Sequence, residues 1–350
     1  MKKALSLLSI VLLALALASS ANAWIRSPAT TFATLPPGAT TPEGITVDTA
    51  GNVYVTTFGF PDSGPATAGQ VVVFSPNGKL LRPPVVVAGA SPHLLGLAFH
   101  PTTGELLVLD FGLGNVLRVD PQTGASSVFS PIGPTSGLNA LTFDSAGNVY
   151  VSDSFQGIIW RIPSTGGAAV NWKQDPLLTT TGKPPFGANG LAFNNAGTAL
   201  FVANTGDDSV VRIPVSAGVA GAPEVLAYSI NGADGLIIDP SDNIWVCANQ
   251  SDEIVVLDPT GKVIAKLGDF NGVDNQGAAR GLLFPASLVF SGNFVLVTNL
   301  ALDLGTVFGI PTVDSQWAAQ VTRYTVSKIN RTLPPIPQTS SATRPGRGHD

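Results

Sequence analysis

Four residues able to share one hard cation, Glu43, Asn139, Asn189 and Asp234, each open a copy of a repeated phrase. The phrase runs EGITVDTAGNVYVTTF from Glu43, LGLAFHPTTGELLVLDF from Leu95 and NALTFDSAGNVYVSDS from Asn139. It continues as NGLAFNNAGTALFVANT from Asn189, DGLIIDPSDNIWVCAN from Asp234 and ASLVFSGNFVLVTNL from Ala286. All four side chains offer oxygen, two as anions and two as neutral amide carbonyls. Two negative charges offset a divalent ion, and water or substrate can complete the shell. Calcium suits such a set better than magnesium, because ligands from separate repeats rarely impose tight octahedral geometry. The plainer reading makes Asn189-Gly190 and Asp234-Gly235 turn dipeptides and Glu43 a solvated loop carboxylate. Leu95 and Ala286 hold the same place in their copies, so the backbone there does not demand Asx, and Glu is a poor turn former.

The elements that must position these residues follow from the intervals, which are 52, 44, 50, 45 and 52 residues. That is the period of a propeller blade. Each copy is an apolar run, a turn rich in Gly, Asn, Asp or Pro, and a second alternating run, the signal of a β-hairpin. A third strand follows, as in QVVVFSPNGK at 70–79 or EIVVLDPTGK at 253–262, and an outer fourth in most copies, such as VLAYSI at 225–230. The expected fold is an all-β, six-bladed propeller over residues 30–330, whose equivalent first positions converge on the axis. The sixth unit lacks a fourth strand before the tail at 331–350, so residues 31–35 are expected to complete it and remove the open edges. Three insertions interrupt the period: Gly59–Gly69, Ala168–Gly187, read as a lid over the axial site, and Leu300–Trp317.

Asp110, Asp153, Asn204, Asn249 and Asn299 form a second ring at the end of the second strand. They read as caps of local backbone N–H groups, with Asn204 and Asn249 the candidates to reach a substrate at the mouth. His93, in SPHLLGL, reads first as a loop histidine, with a place at the mouth as a proton shuttle the alternative. His100 is expected to be exposed at a hairpin turn. The lone Cys247 reads as a small buried strand residue, and the scarcity of Cys and His disfavours zinc. Charged residues make up 12% of the chain, about half the usual share, with a net charge of −5 and no basic stripe. Nucleic acid is therefore not an expected partner. Lys2 and Lys3, the apolar run Leu5–Ala18 and Ala21-Asn22-Ala23 read as a signal peptide over 1–23, cleaved near Ala23/Trp24. The mature protein is expected to be a periplasmic or secreted monomer, free of the membrane and acting on a small molecule.

At these residues the chain resembles the six-bladed calcium propellers of the senescence marker protein/gluconolactonase family, with the paraoxonases and diisopropylfluorophosphatase as relatives. The phrases that carry the resemblance are PEGITVD around Glu43, GLNALTFD around Asn139, ANGLAFN around Asn189 and ADGLIIDP around Asp234, and the likeness covers about 40–330. It implies one axial Ca2+ held by those four residues and a lactone or ester hydrolase in which Asp234 is general base or nucleophile. Gly137 stands where sugar lactonases carry an Arg, and Leu95 where paraoxonases carry a functional His. The blade phrase is equally similar to the NHL repeat, which leaves a non-catalytic binding propeller as the alternative.

Overall fold

The computed structural model describes residues 26–59 and 68–333. The expected signal peptide, the middle of the Gly59–Gly69 insertion and the tail beyond residue 333 lie outside the described residues. Every copy of the phrase folds as the inner hairpin of a blade, because its two apolar runs alternate around a Gly- or Asx-rich turn. The innermost strands are Pro42–Val47, Leu94–Phe99, Leu138–Phe143, Ala188–Phe193, Ala233–Ile238 and Pro285–Ser291. Their partners, Val53–Thr57, Leu106–Asp110, Val149–Asp153, Ala199–Asn204, Ile244–Ala248 and Phe294–Asn299, pair antiparallel with them. Third and fourth strands complete six sheets, numbered here as blades 1 to 6 along the chain.

The apolar core lies between blades. Tyr54 and Val71 of blade 1 pack with Leu97 and Val108 of blade 2, and Leu107 and Val116 of blade 2 pack with Leu138 and Val151 of blade 3. Second strands are covered on both faces, so all five residues of Leu106–Asp110 are buried. Cys247 belongs to the same layer and is fully buried with a free thiol.

Closure follows the expected route. Thr30–Thr34 runs antiparallel to Thr325–Asn330, with Thr30 opposite Lys328 and Thr34 opposite Thr325. The last blade thereby gains its fourth strand from the start of the propeller, and Thr325–Asn330 is paired on both sides.

Three features depart from the sequence reading. Part of the Ala168–Gly187 insertion is blade 3's own outer strand, Val170–Gln174. Only the remainder, with the 3-10 turn Pro176–Leu178 capped by Asp175, is extra chain. The Leu300–Trp317 insertion holds two short helices, Leu304–Phe308, capped by Asp303, and Ser315–Ala318. An additional hairpin, Phe270–Val273 with Ala279–Gly281, separates blades 5 and 6. No helix among the described residues is long and apolar enough to cross a membrane.

Candidate active site at the propeller axis

The same irregularity interrupts all six inner hairpins. Register shifts between Pro42 and Ile45, Leu94 and Leu97, Leu138 and Leu141, Ala188 and Leu191, Ala233 and Leu236, and Pro285 and Leu288. A β-bulge bends its strand and re-aims a side chain. Here it contains the variable residue of each phrase, Glu43, Leu95, Asn139, Asn189, Asp234 or Ala286. In blades 1, 3 and 6 a strand hydroxyl, from Thr56, Ser152 or Thr298, bonds the freed backbone groups. Thr56 Oγ1 accepts from Gly44 N at 2.9 Å and donates to Leu95 O of the next blade at 2.6 Å. Thr298 Oγ1 accepts from Ser287 N at 3.0 Å and donates to Glu43 O at 2.7 Å, linking blade 6 to blade 1.

Asn189-Gly190 and Asp234-Gly235 are therefore strand residues, and the turn reading of these dipeptides does not hold. The glycines serve close approach. A Cβ on Gly235 would lie 2.5 Å from Ala286 O and 2.8 Å from Ser287 Cα. Gly235→Ala is accordingly expected to cost about 3 kcal/mol by overpacking, read as a lower urea midpoint at unchanged m-value. A wild-type midpoint would show that the blades separate freely.

Glu43, Asn139, Asn189 and Asp234 all line one cavity on the axis, with Thr205 and Asn249 beside them. About 40 Å3 of it is open to the centres of water-sized atoms, enough for an ion and one or two waters. The four side chains are 4–5% exposed. Asn249 Nδ2 donates to Asp234 Oδ2 at 2.9 Å, and Asn189 Nδ2 donates to Thr205 Oγ1 at 2.9 Å, which leaves the Asn189 carbonyl as its uncommitted group. Glu43 Oε2 and Asp234 Oδ1 are buried without a hydrogen-bond partner. Burial pushes the Asp234 carboxyl up to about 7, against hydrogen bonds from Asn249 and Asn189 that pull it down. Burial, then repulsion from Asp234, raises Glu43 well above the usual carboxylate range.

This donor set fits a hard cation. Two orphaned carboxylate oxygens and two amides are what a calcium shell uses, and no lining residue is Lys, Arg or His. Among the described residues no group of three or more His, Cys, Asp and Glu could hold a metal. A site here would depend on the amide oxygens.

The second ring behaves mainly as local capping. Asp153 accepts from Gly137 N, Phe155 N and Gln156 N, and Asn299 accepts from Leu283 N. Asn249 lines the cavity and bonds Asp234 there. Asn204 does not line it; its amide donates to Leu177 O and Thr179 O, anchoring the chain that follows blade 3. His93 also stands off the lining, with Nδ1 2.6 Å from Phe58 O and its ring against Phe58. His100, expected to be exposed, is 1% exposed, because Nε2 bonds Gly147 O of the next blade and Nδ1 accepts from Thr102 N and Thr103 N.

The walls are apolar. Above the polar floor the lining is Phe58, Leu95, Pro184, Phe186, Phe284, Leu300, Leu302 and Leu304. Pro184 and Phe186 come from the expected lid, and the three leucines from the last insertion. The available signal was an aromatic residue just past the second strand in three consecutive copies, in VTTF, VLDF and VSDSF, giving Phe58, Phe111 and Phe155.

Solved structures share this architecture. A luciferin-regenerating enzyme is 14% identical with a TM-score of 0.62, over 88% of this chain and 96% of its own. A gluconolactonase of Xanthomonas campestris is 15% identical with a TM-score of 0.61, over 90% and 94%. Regucalcin of Agrobacterium tumefaciens, described as a calcium-binding protein, is 15% identical with a TM-score of 0.56, over 87% and 96%. No curated protein is detectably similar in sequence. A profile of a beta-propeller repeat matches residues 37–56. The profile of the SMP-30/Gluconolactonase/LRE-like region matches residues 91–268, which carry Asn139, Asn189 and Asp234 on three successive blades, and by that match the chain belongs to the SMP-30/gluconolactonase/LRE-like family.

Proposed function

We propose that this propeller is an exported, calcium-dependent hydrolase of a lactone or other ester. The observation that carries the reading is the pair of buried carboxylates, with Glu43 Oε2 and Asp234 Oδ1 unpartnered, facing one cavity whose other polar groups are neutral. Left uncompensated, such a pair costs several kcal/mol, and apolar residues such as Leu95 and Ala286 would plug the axis without that cost.

Glu43, Asn139, Asn189 and Asp234 would hold the ion. When bound, calcium supplies Lewis-acid polarisation of the substrate carbonyl. Asn249 holds Asp234 in place through Oδ2, and the Asp234 carboxylate would take a proton from a water as the water's oxygen attacks the carbonyl carbon. The acyl C–O bond then breaks, and the proton passes from Asp234 to the leaving alkoxide. Thr205 holds the Asn189 amide so that its carbonyl stays available to the ion. The apolar walls exclude bulk water, which strengthens each electrostatic contact at the floor.

The test is a panel of aliphatic, aromatic and sugar lactones with aryl esters, run with calcium and with chelator. The protein should be recovered from outside the cytoplasm, with Trp24 as its first residue by mass. Chelator-sensitive turnover of at least one class is expected. A flat panel from a protein that still binds calcium would reassign the chain to a non-catalytic binding propeller.

A further inference from the structure

The mouth of the axial cavity has a chemistry of its own. Phe155 stacks on Phe186 with ring centroids 5.7 Å apart at 29°. Phe111 meets Phe155 edge-on at 5.5 Å, and Phe308 meets Phe186 at 5.5 Å. Phe186 lines the cavity itself, so this aromatic run leads from the rim to the polar floor. Phe155 is 50% exposed, a large ring with one side against protein and the other available for cover. Its position depends on Gly137, where a Cβ would lie 2.8 Å from the Phe155 ring. Any longer side chain at 137 would displace the ring, and that backbone stands two residues before the floor residue Asn139.

Resting on the reading of this cavity as a hydrolase site, we propose that its substrate carries an aryl or comparably flat apolar group beside the reacting carbonyl, seated against Phe155 and Phe186. Offset and edge-to-face ring contacts favour such a group beyond simple area burial. A polyhydroxylated ring fits poorly. Its hydroxyls would face carbon on the walls, and a buried polar group without a partner is disfavoured. On the floor, one amide hydrogen of Asn249 is already given to Asp234 and one of Asn189 to Thr205, and the walls above it offer no polar side chain.

Binding of non-hydrolysable lactams by calorimetry separates this proposal from the hydrolase reading. The probes are 5-phenylpyrrolidin-2-one and gluconolactam, each titrated into calcium-loaded protein. The aryl lactam should bind at least about tenfold tighter. Phe155→Ala and Gly137→Arg should each remove about tenfold from aryl affinity, and Phe155→Ala should keep the wild-type melting temperature because that ring is half exposed. Gluconolactam binding as tightly as the aryl lactam, an unchanged aryl Kd in Phe155→Ala, or no binding of either probe overturns the proposal. Aryl-selective binding with no turnover of any lactone would retire the hydrolase reading and leave the apolar seat standing.

Discussion

Asp234→Asn is expected to lose lactone hydrolysis by about 10²–10⁴-fold, the range for removal of a general base, while melting higher than wild type in calcium-free buffer at pH 8. The two effects have opposite signs for one reason. Asp234 and Glu43 are both buried, burial raises both carboxyls, and repulsion from Asp234 raises Glu43 further. Without a cation, neutralising Asp234 removes a desolvated charge and its repulsion, a relief on the order of a few kcal/mol. The substituted amide keeps a carbonyl where Asn249 Nδ2 donates, so the local hydrogen bond can survive. With calcium present the ranking should invert, because the wild type alone gains the full stabilisation of a ligand that binds only the folded state. Paired calorimetry and kinetics on both proteins read all of this. A variant that melts lower than wild type without calcium would show that the carboxylates are not in conflict, and the case for a cation would fail with it.

How much of this site the sequence disclosed depends on which physical signal each residue leaves. Glu43, Asn139, Asn189 and Asp234 were legible because a propeller turns equal sequence positions into neighbouring spatial ones, and those four differ chemically from Leu95 and Ala286. The closing strand was legible because the sixth repeat lacks an outer strand that Thr30–Thr34 can supply. The bulges were not legible. They arise from crowding at the axis, where Gly190 would place a Cβ 2.4 Å from Asp234 O of the next blade, and Asn-Gly looks the same whether it serves a turn or a close approach. Asn204 and Asn249 were indistinguishable by position. Only the chain after blade 3, presenting the carbonyls of Leu177 and Thr179, draws Asn204 away from the cavity. His100 misled because its burial comes from a neighbouring blade's Gly147, a contact 47 residues away. The aromatic rim was hidden for a similar reason, since Phe186 and Phe308 reach it from insertions that have no counterpart in the other blades.

Calcium-free protein should lose stability as the pH rises from about 4 to 7, and saturating calcium should cancel most of that loss. Asp234 has a folded value of about 7 against an ordinary value of 3.8, and burial is the main cause. Its carboxyl is therefore protonated in the folded chain over a range where the unfolded chain has already released the proton. The folded state binds more protons there, so unfolding free energy falls with rising pH. At about 1.36 kcal/mol for each pH unit that separates the folded from the ordinary value, the Asp234 share is on the order of 4 kcal/mol, and Glu43 adds in the same direction. Calcium requires both carboxylates ionised, so its binding competes with those protons and strengthens as they leave. The rise in melting temperature on adding calcium should thus be small at pH 5 and large at pH 8. One remnant should persist with calcium bound. Asp252 is also raised to about 7, first by burial and then by Asp314, and it accepts from Phe284 N at 2.7 Å behind the cavity wall. Its contribution has the same sign, is untouched by an ion on the axis, and should vanish in Asp252→Asn. Melting curves of stripped and calcium-saturated protein at both pH values decide the matter. Equal gains in melting temperature at pH 5 and pH 8 would mean that no proton leaves when the ion binds, and Glu43 and Asp234 would then not be its ligands.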